Sequence, residues 1–287
     1  MPKISLSTWS LFLKMDYQHA IQFAIENGFQ GVEIWSNPFD FLPRKVTPKE
    51  IRAIRSIARE HHISLAVHFC FGSNNLADDN EGHLQESIKQ LKETIQLCHR
   101  IGAEIVIIHP GTVPDIATHE ENFLNPQFTL IALKQDSIKR FMKSLALLTL
   151  FAEKYQVVIG LENLGYLKNS IQSTFEDLVE WVDQIASPAL QITLDVGHAN
   201  IEDSVEKAIE IFRTRIRHIH LTDNNGISKG KFSDHGELGS GTINWKEIAP
   251  FLRSFNGMLS LEVLVPHDIE GGVLRSKSFL ENLLKGG

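Results

Sequence analysis

Eight short runs rich in β-branched and aliphatic residues alternate with segments of helical periodicity, and this alternation restricts the fold more than any other feature. Several of the runs are apolar throughout, which is typical of parallel strands buried on both faces. We predict strands at Ile4–Thr8, Gly31–Trp35, Ser64–His68, Ile105–His109, Val157–Glu162, Gln191–Asp195, Ile216–His220 and Met258–Val263. Amphipathic segments between them include Ile51–Glu60, Glu86–Arg100, Lys139–Lys154 and Val205–Arg213.

Eight strands, each followed by a helix, predict an α/β fold in which a single (β/α)8 TIM barrel closes on itself. The length of 287 residues suits one such domain over residues 1–287. A doubly wound open sheet is the alternative, but no glycine-rich phosphate-binding fingerprint follows the first strand. The barrel is therefore the preferred architecture.

Local signals mark several helix starts and two long connections. Residues 47–50 (TPKE) combine a capping box with proline at the first helical position. Ser173, Asp203 and Asn244 each precede a glutamate by three residues, so we expect them as N-caps. The connections Gly111–Gln135 and Asp223–Gly241 are long, and loops of such length at the strand C-terminal side of a barrel are usually functional.

Composition and net charge indicate the cellular compartment and disfavour two classes of partner, membranes and nucleic acid. Two cysteines, Cys70 and Cys98, cannot form a disulfide framework, so we expect a reducing, cytoplasmic environment. The N-terminal sequence does not have the pattern of a signal peptide, and no apolar run is long enough for a membrane span, so no membrane association is expected. A formal charge of −7 offers no overall attraction for nucleic acid.

Six consecutive predicted strands end in a side chain that can bind a metal, namely His68, His109, Glu162, Asp195, His220 and Glu262. His198 follows Asp195 by three residues, and His235 lies in the connection after strand seven. The C-terminal ends of barrel strands meet at one face, where barrel active sites lie. Carboxylates gathered there are costly to bury and repel one another, and a divalent cation removes that repulsion.

We therefore predict that Glu162, Asp195, His220 and Glu262 hold a divalent metal, with Mn, Co, Mg and Zn all suited to this donor set. The remaining four histidines have two open roles. His68, His109, His198 and His235 either ligate metal or hydrogen-bond to substrate or to the ligating carboxylates.

Five further residues carry weaker signals. His218 should point into the barrel one layer below His220, as a hydrogen-bonded core histidine. Glu33 and Trp35 share one face of strand two, and Trp35 either stacks on a sugar or packs in the core. Asn163 is expected to orient Glu162 or to contact ligand. Asp223 either accepts a hydrogen bond from a ligating residue or caps its loop.

The motifs HPG, LEN, LDVGH, HLTD and H-x-x-LGSG resemble those of the xylose isomerase-like TIM-barrel superfamily over nearly the whole chain. This superfamily contains sugar (phosphate) isomerases and epimerases, and also endonuclease IV (AP endonuclease family 2). The resemblance implies the fold and a metal centre but is not specific to one activity. Because relatives are often dimers or tetramers, a homo-oligomer is expected by analogy.

The isomerase and epimerase branch implies that Glu162, Asp195, His220 and Glu262 are the ligands. The two glutamates there also transfer the substrate proton, and His198 contacts substrate, so the expected catalytic residues are Glu162, Glu262 and His198. An arginine of the ketose 3-epimerases, six residues after the strand-seven histidine, is replaced here by Gly226. That departure leaves the sugar unspecified.

The endonuclease IV branch implies nine ligands for three zinc ions. Eight of them match His68, His109, Glu162, Asp195, His198, His220, His235 and Glu262. Ser233 stands where the ninth ligand, an aspartate, is expected, and Asp234 comes one residue late. The loop after strand two, residues 36–48, has one Arg-Lys pair and two phenylalanines, which is a poor DNA wedge.

Three functions therefore stand as hypotheses. The preferred one is a divalent-metal-dependent isomerase or epimerase that acts on a small sugar or sugar phosphate by proton transfer next to a carbonyl. The second is an endonuclease IV-like, zinc-dependent phosphodiesterase that cleaves abasic DNA. The third is a non-catalytic sugar-binding barrel, which would not require two opposed glutamates.

Overall fold

The computed structural model describes residues 2–70, 72, 74–113, 126–165, 167, 169–228 and 233–286, with backbone only for 126–130. Eight parallel strands form a closed barrel in chain order, which confirms the predicted fold. The strands are β1 Lys3–Ser7, β2 Gly31–Trp35, β3 Ser64–His68, β4 Ile105–Ile108, β5 Val158–Glu162, β6 Leu190–Asp195, β7 Ile216–Leu221 and β8 Met258–Leu261.

The strand register places alternate side chains inside the barrel and thereby stacks them in layers. A small apolar cluster of Ala66, Ile105, Ile107 and Met258 is separate from the main core, which lies between the barrel and the helices. Higher in the barrel, Asp195 of β6 is the register partner of His220 of β7, and Glu162 of β5 that of Thr193. Polar side chains therefore occupy the C-terminal end of the interior.

Helices cover the outside of the barrel, and a helix follows every strand. They are α1 Tyr17–Glu26, α2 Pro48–Glu60, α3 Glu81–Ile101, α4 Pro126–Tyr155, α5 Phe175–Ile185, α6 Val196–Glu202, α7 Val205–Phe212, α8 Trp245–Ser254 and α9 Ile269–Lys285. The capping box of Thr47 and Glu50 is confirmed, and Asn244 directly precedes α8 as predicted.

Three predicted boundaries are wrong. Helix α4 begins at Pro126, so the connection predicted to run to Gln135 is shorter, and residues 114–125 lie outside the described chain. The N-cap of α5 is Thr174 instead of Ser173, because the Asp177 carboxylate accepts hydrogen bonds from the backbone N–H groups of both residues. Helix α7 starts after Ser204, whose hydroxyl accepts from the N–H of Lys207. Asp203 is instead the C-cap of α6, directly after its last residue.

Two further expectations concern the cysteines and membranes. Cys70 and Cys98 are both buried and form no disulfide with each other. Burial raises the pKa of the Cys98 thiol far above its ordinary range, which disfavours the reactive thiolate. Within the described residues, no helix combines the length and apolar character that a membrane span requires.

Candidate metal centre

Four side chains predicted as ligands converge at the C-terminal mouth of the barrel. Glu162 and Asp195 are the last residues of β5 and β6, His220 lies in β7, and Glu262 directly follows β8. One ligand atom from each of the four lies within 4.8 Å of all the others, and all four residues are buried. Ligands about 2.1 Å from a shared ion are spaced on this scale, so the four can hold one cation.

The central atoms of this group lack other partners. Glu162 Oε1, Asp195 Oδ2 and His220 Nδ1 are buried and have no hydrogen-bond partner among the described residues. His220 Nδ1 lies 3.4 Å from Glu162 Oε1 and 3.2 Å from Glu262 Oε2, which are ion-pair distances without hydrogen-bond geometry. Buried polar atoms are nearly always satisfied, so their convergence fits a divalent cation as the missing partner.

Local structure fixes the direction of Asp195. Its Oδ1 accepts a hydrogen bond of 2.8 Å from the N–H of His198 and thereby caps α6. The side-chain amide of Asn163 makes hydrogen bonds of 2.8 and 3.0 Å with the backbone N–H and C=O of Asp195. The Asn163 amide thus spans from β5 to β6 and orients the Asp195 backbone in place of the Glu162 carboxylate, and the alternative expectation that Asn163 contacts a ligand stays a prediction.

Glu162 also belongs to a second group. Its Oε2 lies 3.2 Å from Nε2 of both His68 and His109, on the opposite side of the carboxylate from the atom that faces His220. The Nδ1–H of His68 donates to the Phe69 carbonyl over 2.9 Å, so Nε2, which hydrogen-bonds to Glu162 Oε2 in the metal-free chain, is the nitrogen that neutral His68 would offer to a cation. Glu162 can therefore bridge two cations.

A third group combines His198, Asp234 and His235, whose ligand atoms also lie within 4.8 Å of one another. Asp234 is one residue later than the sequence pattern requires, yet the turn after β7 brings its carboxylate to these histidines. Ser233, at the expected position, is exposed and is not a member of any such group. Hydrogen bonds to the carbonyl groups of Asn163 and Glu262 hold the Nδ1 atoms of His198 and His235, at 3.1 and 3.2 Å.

The charges in the site depend on one another. Burial opposes ionisation of Glu162, but the neighbouring imidazoles of His220 and His109 outweigh it and hold the Glu162 pKa well below its ordinary range. Burial and the Glu162 charge instead raise the pKa of Asp195. Although burial disfavours the charged form of His198, Asp195 and Glu162 raise its pKa to about 9. Without a cation, the carboxylates are thus balanced by protonated imidazoles.

Two weaker expectations have a clear outcome. His218 lies one layer below His220, as predicted, and its Nε2 is 2.7 Å from Glu33 Oε2. Asp223 serves its loop: it accepts hydrogen bonds from the N–H groups of Asn224 and Gly239 and from Trp245 Nε1, the last at 2.8 Å. It therefore caps the connection after β7 and does not contact a candidate ligand through its carboxylate.

Sequence reasoning missed Glu33 as part of this site. Its Oε2 lies 3.0 Å from His220 Nε2 as well as 2.7 Å from His218, and its Oε1 accepts a hydrogen bond of 3.2 Å from the Ser7 hydroxyl. The inward position of Glu33 on β2, shared with Trp35, was the available signal, because a carboxylate inside a barrel requires a partner.

Known proteins resemble this chain at the level of sequence and fold. The D-psicose 3-epimerase of Enterocloster bolteae is 32% identical over 151 residues, or 52% of this chain and 47% of that protein. A probable endonuclease 4 of Nitrosopumilus maritimus is 26% identical over 251 residues, or 81% of this chain and 83% of that protein. The crystal structure of a D-tagatose 3-epimerase-like protein superposes with a TM-score of 0.81 and 25% identity, over 99% of this chain and 97% of the other.

The family model for the xylose isomerase-like TIM barrel matches residues 21–283, which is most of the chain. This match agrees with the closed barrel and with the resemblance that the strand-end motifs indicate. The chain belongs to the xylose isomerase-like TIM-barrel family, whose relatives here include both epimerases and endonuclease 4.

Proposed function

We propose that the protein is a divalent-metal-dependent isomerase or epimerase that acts on a small sugar or sugar phosphate. The observation that carries this proposal is the pair of buried glutamates, Glu162 and Glu262, whose carboxylates flank His220 Nδ1 at 3.4 and 3.2 Å. Two carboxylates in one water-poor site suit a reaction in which one removes a proton and the other returns it.

A cation held by Glu162, Asp195, His220 and Glu262 would polarise the substrate carbonyl as a Lewis acid. One glutamate accepts the proton from the carbon next to that carbonyl. The C–H electron pair becomes a carbon–carbon double bond, and negative charge develops on the carbonyl oxygen. Return of a proton by the other glutamate to the opposite face of the carbon inverts its configuration.

The protonation states of the site suit these roles. Burial alone would favour neutral carboxyls, but in the metal-free chain the imidazole of His220 lowers the pKa of both Glu162 and Glu262, so either can serve as the ionised base. The glutamate that returns the proton must first take one up. His198, with its pKa raised to about 9 despite burial, is a proton donor at neutral pH. It can stabilise the charge that develops on a substrate oxygen.

The ion pairs that occupy cationic side chains near the mouth favour a small substrate over a polyanion. Three of them, on the segments that follow β1, β2 and β8, are already paired with acids. Lys14 lies 3.0 Å from Glu270, Arg44 lies 2.6 Å from Glu86, and Arg275 lies 2.7 Å from Glu237. DNA phosphates would have to displace these pairs, whereas a sugar that binds at the barrel mouth would not.

Solvent deuterium exchange tests the proposal. The zinc-, manganese- or cobalt-loaded protein is incubated in deuterated water with a panel of ketoses and ketose phosphates, and NMR follows exchange at the carbon next to the carbonyl. We expect exchange with at least one compound and its loss in Glu162→Gln and Glu262→Gln. Glu60→Gln, exposed at the end of α2, is the matched control and should exchange normally. Full exchange in both site variants would overturn the assigned roles.

A second candidate function rests on a different observation. The groups His68–His109–Glu162 and His198–Asp234–His235 supply donors that single-metal proton transfer does not need. Glu162 joins two of the three groups, and bridged metals that activate water and stabilise a leaving oxygen are typical of phosphodiester hydrolysis. These groups favour an endonuclease IV-like, zinc-dependent phosphodiesterase as the alternative.

Metal counting and a DNA assay separate the two functions. About one cation per chain, with no cleavage of a duplex that contains an abasic site, would support the isomerase or epimerase. About three zinc ions per chain together with nicking at the abasic site would support the phosphodiesterase and contradict our preference. An undamaged duplex of the same sequence controls for contaminating nuclease.

A further inference from the structure

Glu33 is a carboxylate inside the barrel, below the candidate ligands, and solvent does not reach it. It lies on β2, across the barrel from β7, which carries both of its histidine partners. His218 Nε2 is 2.7 Å and His220 Nε2 is 3.0 Å from the same oxygen, Glu33 Oε2. One carboxylate oxygen therefore joins two successive inward positions of β7.

These separations are those of direct N–H···O hydrogen bonds. Although Glu33, His218 and His220 lie close enough to be considered for a metal, we assign protons to the two contacts. Since carboxylate oxygens only accept, both Nε2 atoms carry hydrogen. For His220 this assignment directs the Nδ1 lone pair towards Glu162, Asp195 and Glu262.

His220 differs in this respect from three of the other candidate histidine ligands. His68, His198 and His235 direct Nδ1 to a backbone carbonyl. His220 uses Nε2 and has a charged side chain as its acceptor. A carboxylate acceptor makes the opposite ring nitrogen a stronger metal ligand than a carbonyl acceptor does, because the carboxylate stabilises positive charge on the ring.

We propose that Glu33 is a positioning residue of the metal centre, which fixes the tautomer and orientation of His220 so that Nδ1 coordinates the cation. His218 and Ser7 hold the Glu33 carboxylate in place, since each donates a hydrogen bond to it. The proposal rests on the metal centre of the proposed function. It adds a residue that does not itself contact the cation or the substrate.

Zinc affinity of the intact chain tests the proposal without reference to activity. Competition with a chromophoric chelator measures zinc binding by the wild type and four variants. Loss of an outer carboxylate typically weakens binding about 10–100-fold, and we expect this for Glu33→Ala. Glu33→Gln should weaken it less, because the amide oxygen can still accept from His220 but carries no charge.

Two further variants complete the series. His218→Gln retains a donor towards Glu33, so it should lose less zinc affinity than Glu33→Ala. Thr193→Val is the control, because it removes a buried hydroxyl that has no hydrogen-bond partner among the described residues, and it should bind zinc within about threefold of the wild type. Equal losses in Thr193→Val and Glu33→Ala would show that any interior change disturbs the site, and would overturn the specific role of Glu33.

A spectroscopic measurement separates positioning from general stability. Long-range ¹H–¹⁵N spectra of histidine-labelled, zinc-loaded protein should show His220 as the Nε2–H tautomer in the wild type, and an Nδ1–H tautomer of His220 would overturn the proposal. If Glu33→Ala does not fold, Glu33→Gln carries the test, and wild-type zinc affinity in that variant would overturn the proposal. A wild type that binds no zinc would instead refute the metal centre itself, which keeps the two failures distinct.

Discussion

Glu202→Gln should make the protein more stable at alkaline pH but not at acidic pH. Glu202 ends α6, the helix that begins at the candidate metal centre and contains His198. Its Oε2 accepts hydrogen bonds of 3.1 Å from the N–H of Gly165 and 3.3 Å from Gln172 Nε2. Its Oε1 is buried without a hydrogen-bond partner among the described residues. Burial, followed by the charge of Asp177, raises the Glu202 pKa from 4.5 to about 7.

The direction and size of the effect follow from linkage. The folded chain holds this proton more tightly than the unfolded chain, so the contribution to stability is full below about pH 4.5 and is lost as pH rises through about 7. If the Glu202 side chain were fully buried, this pKa shift would correspond to a loss of about 3 kcal/mol in the free energy of unfolding. Because the side chain is half-buried, solvent screening reduces the expected value to roughly 1–2 kcal/mol.

Urea unfolding at pH 5 and pH 8.5 measures this effect. Glutamine retains an acceptor for Gly165 and Gln172 but does not ionise. We expect Glu202→Gln to raise the free energy of unfolding by roughly 1–2 kcal/mol at pH 8.5 and by less than about 0.5 kcal/mol at pH 5. The exposed Glu210→Gln is the matched control and should change little at either pH. An equal change at both pH values for Glu202→Gln would refute the reasoning.

Three further outcomes are expected. Gly241→Ala should lower the free energy of unfolding by about 2 kcal/mol or more in urea titrations, because an added Cβ would lie 2.1 Å from the Asn224 carbonyl oxygen; an unchanged midpoint would contradict the loop packing. Zinc binding at neutral pH should release protons, because Glu33 and Glu262 raise the pKa of His220 well above its ordinary value despite burial. Titration calorimetry in two buffers of different ionisation enthalpy measures this release, and identical heats would contradict it. Asp234→Ala should remove one ion from any multi-zinc protein without loss of the first, as elemental analysis after chelator washes would show; loss of all zinc would contradict separate groups.

The sequence was sufficient to predict the barrel and the first group of candidate ligands. Inward and outward positions alternate along a strand, and the strand ends of a barrel share one face, so Glu162, Asp195 and His220 had to approach one another. Strand bounds were predicted to within two residues. Helix starts at Ser173 and Asp203 were wrong because competing caps lie one residue away, and local propensity does not distinguish between them.

The rest of the site depends on contacts that no local pattern encodes. Glu33 meets His218 and His220 across 185 and 187 residues, so its partners follow only from the closed register. Asp234 lies close to His198 and His235, although residue spacing in the sequence had placed the expected aspartate at position 233. The capping role of Asp223 likewise depends on backbone N–H groups as far along the chain as Gly239.

Anomalous X-ray scattering at the zinc edge, from crystals of the zinc-loaded chain, tests the metal centre most directly. We expect a peak at the barrel mouth at about 2 Å from Glu162, Asp195, His220 and Glu262, with His220 bound through Nδ1. Zinc that lies elsewhere in crystals of fully loaded protein, or protein that retains no zinc at all, would contradict the account.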